Sequence, residues 1–131
     1  MRIIIIILCL LSSGFAYSQA KMPSPQGMLG QALADYGKVA GTWYLNQHCS
    51  LLSPERGKEF EDSVATITIA LRNEIPNPNM LLKIQQPSKK VATSEPYSNC
   101  GEKAKEVILG GSAHAINWAK QIKRIQSQAK G

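Results

Sequence analysis

The chain has 131 residues, 15 Lys and Arg against 9 Asp and Glu, and a formal net charge of +6 at pH 7. Hydrophobic residues make up 44% of it, and no internal repeat or long low-complexity linker interrupts them, which excludes a repeat array or a string of tethered domains.

The chain opens MRIIIIILCLLSSGFAYSQA. Arg2 precedes an apolar run from Ile3 to Leu11. Ser12, Ser13 and Gly14 follow, then Ala16, Ser18 and Ala20. That order of charge, apolar core and small residues is the pattern of a secretory signal peptide. The apolar stretch reaches Ala16 at most, short of the ~20 residues that a membrane-spanning helix needs. Cleavage is expected after Ala20, with Ser18 as the alternative. Residues 1–20 are therefore read as a signal peptide and residues 21–131 as a single helical domain, with 21–25 and 126–131 expected to fray. The expected location is the periplasm or outside the cell. No Asn-x-Ser/Thr sequon is present, so nothing points to N-glycosylation.

Gln26 to Cys49 reads as the first helix. Leu29, Leu33, Tyr36, Ala40 and Trp43 recur at four-three spacing and lay a stripe along one face. Gly37 and Gly41 each weaken a helix by ~1 kcal/mol relative to alanine, so a break near Gly41 is one expectation. A second helix starts at Ser53 as N-cap and Pro54 as first helical residue. Phe60, Val64, Ile67 and Leu71 form its stripe. Residues 64–71 also alternate like a β-strand, with β-branched side chains dense among them, but the cap and the longer period favour helix.

Pro76 and Pro78 break the chain. A short helix is expected over 78–86, carrying Met80, Leu81 and Ile84 inward, and residues 87–97 read as loop. The last helix is expected from an Asn99 cap, with Glu102 three residues on in a capping-box arrangement. Its stripe runs through Ala104, Ile108, Gly111, Ala115, Trp118, Ile122 and Ile125. The spacing thus predicts an all-α fold, a small bundle of three to four helices.

Two cysteines remain after cleavage, Cys49 and Cys100. An even count in an exported chain favours a disulfide between them. It would join the end of the first long helix to the start of the last, set the two antiparallel, and contribute roughly 4 kcal/mol by loop closure over about 50 residues. His48 stands beside Cys49, but neighbouring helical residues point ~100° apart, so no nucleophile–base contact is expected. The other histidine, His114, lies roughly 21 Å further along a helix than Cys100. No metal site and no cofactor is expected, and no catalytic residue is assigned. Ser112 and His114, two apart on one helix, face away from each other. Glu55, Glu59, Glu61 and Asp62 read as an ordinary acidic helix start. A carboxyl of raised pKa in a pocket beside Trp43 or Trp118 would instead mark an enzyme. Both tryptophans are candidates for core anchors or pocket walls. Gly110 and Gly111 suit either a hinge or the close approach of a neighbouring helix.

Charge is uneven. Residues 21–82 hold five basic and six acidic side chains, and residues 83–131 hold nine and three. A weak contact with an anionic surface through this basic half is one expectation, and a solvated face is the other. No nucleic-acid partner is expected. In layout (exported, helical, one bridge, a tryptophan before the first cysteine, a lysine-rich last helix) the chain resembles periplasmic acid-stress chaperones of the HdeA type. In size and compartment it is similar to small immunity proteins against secreted toxins. The expected role is non-catalytic: binding another protein or an envelope component. A carrier of a small apolar ligand, and an enzyme whose site assembles only in three dimensions, are the alternatives.

Mass spectrometry of the unreduced mature chain should show Lys21 as the first residue and no uptake of alkylating agent after denaturation. Reduction should then open two sites. Labelling without reduction would remove the disulfide.

Overall fold

Among the described residues four segments become helices, and each carries its apolar residues at helical spacing. The computed structural model describes residues 25–130; the leader expected over 1–20 lies outside them. The elements are α1 (Pro25–Cys49), α2 (Pro54–Glu74), α3 (Asn79–Ala92) and α4 (Glu102–Lys130). No strand occurs among the described residues, and residues 64–71 lie within α2. No described helix is long and apolar enough to cross a membrane.

Caps explain most boundaries. α1 ends where Ser50 turns to φ 52° and donates its N–H to the Asn46 carbonyl at 2.6 Å, a left-handed closure. The Asn46 side chain then accepts from the N–H groups of Leu51 and Leu52 at 3.1 and 3.3 Å. Ser53 caps α2 through its hydroxyl, which accepts from Arg56 N–H at 3.2 Å, with Pro54 at the first helical position. The Asn99 expectation is corrected. Cys100 takes φ 57°, so α4 cannot begin until Glu102, and the Asn99 side chain accepts from Gly101 N–H at 2.9 Å instead.

Two further expectations give way to tertiary contacts. Residues 87–92 are helix, with Pro87 inside α3. A mid-helix proline removes one hydrogen bond and costs ~3 kcal/mol in isolation, but this half of α3 is held against α1. Gly37 and Gly41 make the seat. A Cβ on Gly37 would stand 3.4 Å from Ile84 Cγ2, and one on Gly41 3.8 Å from the Ser88 carbonyl oxygen. The glycines that suggested a break in α1 therefore sit in an unbroken helix and admit α3. At the other end, α4 runs to Lys130.

α1 is the central element. Its contacts with α3 advance together along both chains, from Gly37 beside Ile84 to Tyr44 beside Lys89, so the two run parallel. Its contacts with α4 advance oppositely, from Thr42 against Gly111 to Cys49 against Cys100, so those two run antiparallel. α2 packs mainly on α4, and α3 mainly on α1. The main core holds Tyr36, Val39, Phe60, Ile67, Leu71, Trp118 and Ile122. A second, smaller core of Leu45, Ala92, Ala104 and Ile108 lies at the disulfide end, with Cys49 and Tyr97 packed on it.

Gly111 sets the spacing of α1 and α4. A Cβ there would overlap the Thr42 hydroxyl and lie 2.8 Å from Thr42 Cβ and Cγ2, whereas one on Gly110 meets nothing within 4 Å. Gly111→Ala is therefore expected to destabilise by about 1–3 kcal/mol. Gly110→Ala should gain up to about 1 kcal/mol from helix propensity. Urea midpoints of the two variants test this; shifts of the same sign would contradict the close approach.

Candidate functional site

Cys49 and Cys100 come together, with their sulfurs 1.99 Å apart and their Cα atoms 5.5 Å apart. His48 joins them. A ring nitrogen of His48 and the two sulfurs all lie within 4.8 Å of one another. Spacing within α1 gave no sign of this proximity. The sequence argument considered only α1, whereas the 98–100 segment crosses the helix end and receives the ring. His48 Nε2 lies 2.9 Å from the Ser98 carbonyl. A carbonyl only accepts, so Nε2 is the donor in this contact. The imidazole is exposed and the cysteines are half-buried.

The two tryptophans part company. Trp118 is a core residue, 1% exposed, and its indole N–H has no partner among the described residues. Trp43 is half-buried and meets Tyr44 edge-on at 5.0 Å. Both line a cleft of about 430 Å³ between α1 and α2, with Glu61, Arg72 and Gln85 also on its walls. One chain of hydrogen bonds backs this cleft. Thr68 Oγ1 donates to the Val64 carbonyl at 2.7 Å, so it accepts from Tyr36 Oη at 3.1 Å. Tyr36 Oη in turn accepts from Gln85 Nε2 at 2.7 Å. α3, α1 and α2 are joined by this one polar line, and Tyr36 is 1% exposed.

A larger groove, about 570 Å³, lies on the opposite side of α1 between α3 and α4. Ala34, Gly37 and Gly41 floor it, Val91 and Tyr97 stand on one side, and Val107 and Gly111 on the other. It exists because α3 and α4 each pack on α1 and hardly touch each other. Val91 is 60% exposed on its rim. Lys38 lines it, and helical spacing places exposed Lys90 beside Pro87 and exposed Lys103 beside Val107. Pattern reading missed the groove, because its floor is small residues that carry no hydrophobic signal. The glycine pair at four-residue spacing was the available clue.

Other clusters stay apart or pair locally. Ser112 is buried and its hydroxyl donates to the Leu109 carbonyl at 3.2 Å, while His114 is exposed. Glu59 pairs with Arg56 at 3.1 Å and reaches Lys120 at 4.0 Å. Such exposed pairs contribute ~0–1 kcal/mol.

A scan of family models, a search of curated proteins and a search of solved structures each returned no match. Among the described residues, the fold and clefts define a four-helix, single-disulfide domain with an open apolar groove.

Burial pushes the Glu74 carboxyl above the usual carboxylate range. Its Oε1 is buried without a hydrogen-bond partner among the described residues, and Glu74 is not among the residues that line the Trp43 cleft. The folded state therefore binds this proton more tightly than the unfolded chain. That contribution is fully present below the unfolded value and is lost as pH rises through the folded one. Glu74→Gln should raise the urea midpoint at pH 7, and the gain should vanish below about pH 4, where the carboxyl is protonated in both states. Equal midpoints at pH 7 would show that the buried carboxylate is compensated.

Proposed function

We propose that this is a small exported binding protein whose groove between α3 and α4 takes an amphipathic helix, acidic along its flanks, from another exported or envelope protein. The groove carries the reading. Its floor runs from Ala34 to Leu45, about 16 Å at 1.5 Å per residue, the length of three helical turns. Leu45, Val91, Tyr97 and Val107 give the groove apolar walls, and apolar side chains set at helical intervals are what such a groove receives. Lys38, Lys90 and Lys103 supply charge complementarity, which favours acidic flanks and speeds encounter. Export rests on the leader pattern and on the disulfide. An immunity role is the special case in which the partner is a secreted toxin. A chaperone-like role is the case in which the partner is a client helix exposed by unfolding.

A second reading has its own support. The groove volume falls within the ~300–1,000 Å³ of small-molecule sites, so a carrier of an apolar ligand fits the same surface.

Val91→Glu, on the rim, is compared with Leu82→Glu, at a residue 54% exposed that does not line the groove. Stability should change by no more than about 0.5 kcal/mol in either. Partner capture from the native envelope should be lost in the first and kept in the second, and should weaken as salt rises. Capture indifferent to Val91→Glu would sink the helix-in-groove reading. A non-covalent apolar adduct in native mass spectra, absent from Val91→Glu, would move the assignment to the carrier.

A further inference from the structure

We infer that the clasp has a second state. When the Cys49–Cys100 bond is reduced, the two thiolates and His48 form a site for one thiophilic cation, Cu(I) or Zn(II). This inference does not depend on the groove.

The ligands are already gathered. All three donor atoms lie within 4.8 Å of one another. Two ligands that share an ion at ~2.0–2.3 Å stand about 3.5–4 Å apart, so the sulfurs, 1.99 Å apart while bonded, separate by roughly 1.5–2 Å on reduction and the imidazole closes by roughly 1 Å. The imidazole is anchored as imidazoles often are at metal sites, by an N–H that donates to a backbone carbonyl. Here the Ser98 carbonyl is the acceptor, at 2.9 Å. The sulfurs also have acceptors waiting: the Tyr97 carbonyl stands 4.0 Å from Cys49 Sγ and the Ser98 carbonyl 3.7 Å from Cys100 Sγ. A reduced thiol pair is therefore not left unpartnered.

Opening the bond does not release the two segments. The Thr42–Gly111 approach holds α1 to α4, and the second core packs Cys49 and Tyr97 onto Leu45, Ala92, Ala104 and Ile108. The exposed His48 and half-buried sulfurs give an ion a path from solvent. Soft thiolate and imidazole donors select Cu(I) and Zn(II) over hard cations. Three ligands complete a trigonal Cu(I) site, or leave one position for water on tetrahedral Zn(II).

The redox step balances with a protein or small-molecule dithiol as reductant. Its two thiols become a disulfide, and two electrons and two protons pass to Cys49 and Cys100, breaking their S–S bond. Metal binding then displaces the two thiol protons.

The test uses the mature chain, reduced with a phosphine, freed of reductant without air, and titrated with Zn(II) and with Cu(I) against chromophoric competitors. One equivalent should bind to the reduced protein and none to the oxidised or alkylated protein, with helicity unchanged. His48→Ala should weaken binding at least about tenfold, since loss of a mere supporting contact already costs 10–100-fold, while its oxidised form melts like the wild type. X-ray absorption should show two sulfurs and one nitrogen. Uptake of copper alone would support the three-coordinate form, and uptake of zinc alone the form with water. No uptake by the reduced, folded chain would overturn the site. So would affinity unchanged in His48→Ala, or unfolding on reduction that metal does not reverse.

Discussion

The approach of α1 to α4 is the constraint on which the structure depends. It is fixed at two places about two helical turns apart. Cys49 and Cys100 join covalently at one. At the other, Gly111 leaves room for Thr42, whose hydroxyl is satisfied by the Lys38 carbonyl at 2.9 Å within its own helix. A covalent link alone would tether two chain ends and leave their crossing free. A small-residue contact alone would set their spacing and leave the helix ends untethered. Together they fix direction and spacing, and the remaining helices pack on the result.

α1 then presents two different sides. Tyr36 and Trp43 face α2, and the polar line from Gln85 to Val64 gives that side a directional order. Gly37 and Gly41 face α3, which comes close enough to keep its helix through Pro87. The wide gap between α3 and α4 follows from both being anchored on α1 and not on each other. A groove of this origin is rigid at its floor and adaptable at its rim, where Val91 and the lysines are exposed. That suits recognition of a helix by shape at the centre and by charge at the edge.

The disulfide end combines structure with latent chemistry. Ser50 and Cys100 both hold positive φ, a backbone state that costs a non-glycine residue ~1–2 kcal/mol. The closure of α1 onto Asn46 and the crossing of the 98–100 segment keep them there. The same crossing brings His48 over both sulfurs.

Amino-acid pattern alone determined the helices and the joint. Four-three spacing placed Tyr36, Ile67, Ile108 and Trp118 inward, Ser53 and Pro54 marked the start of α2, and the two cysteines outside the expected leader implied one bond. These features are local, or counted, so they can be read along one dimension. Only the tertiary structure decided where the surfaces lie. Gly37, Gly41 and Gly111 carry no side chain, so their role exists only in what a neighbouring helix does beside them. Pro87 stays helical because α1 supports it, and Asn99 loses the cap because Cys100 turns left-handed. Trp43 and Trp118 look alike in their stripes, yet one faces a cleft and the other the core, since α2 covers α4 more closely than α1. His48 reaches Cys100 because a segment fifty residues away passes over the end of its helix, and no spacing rule within α1 contains that contact.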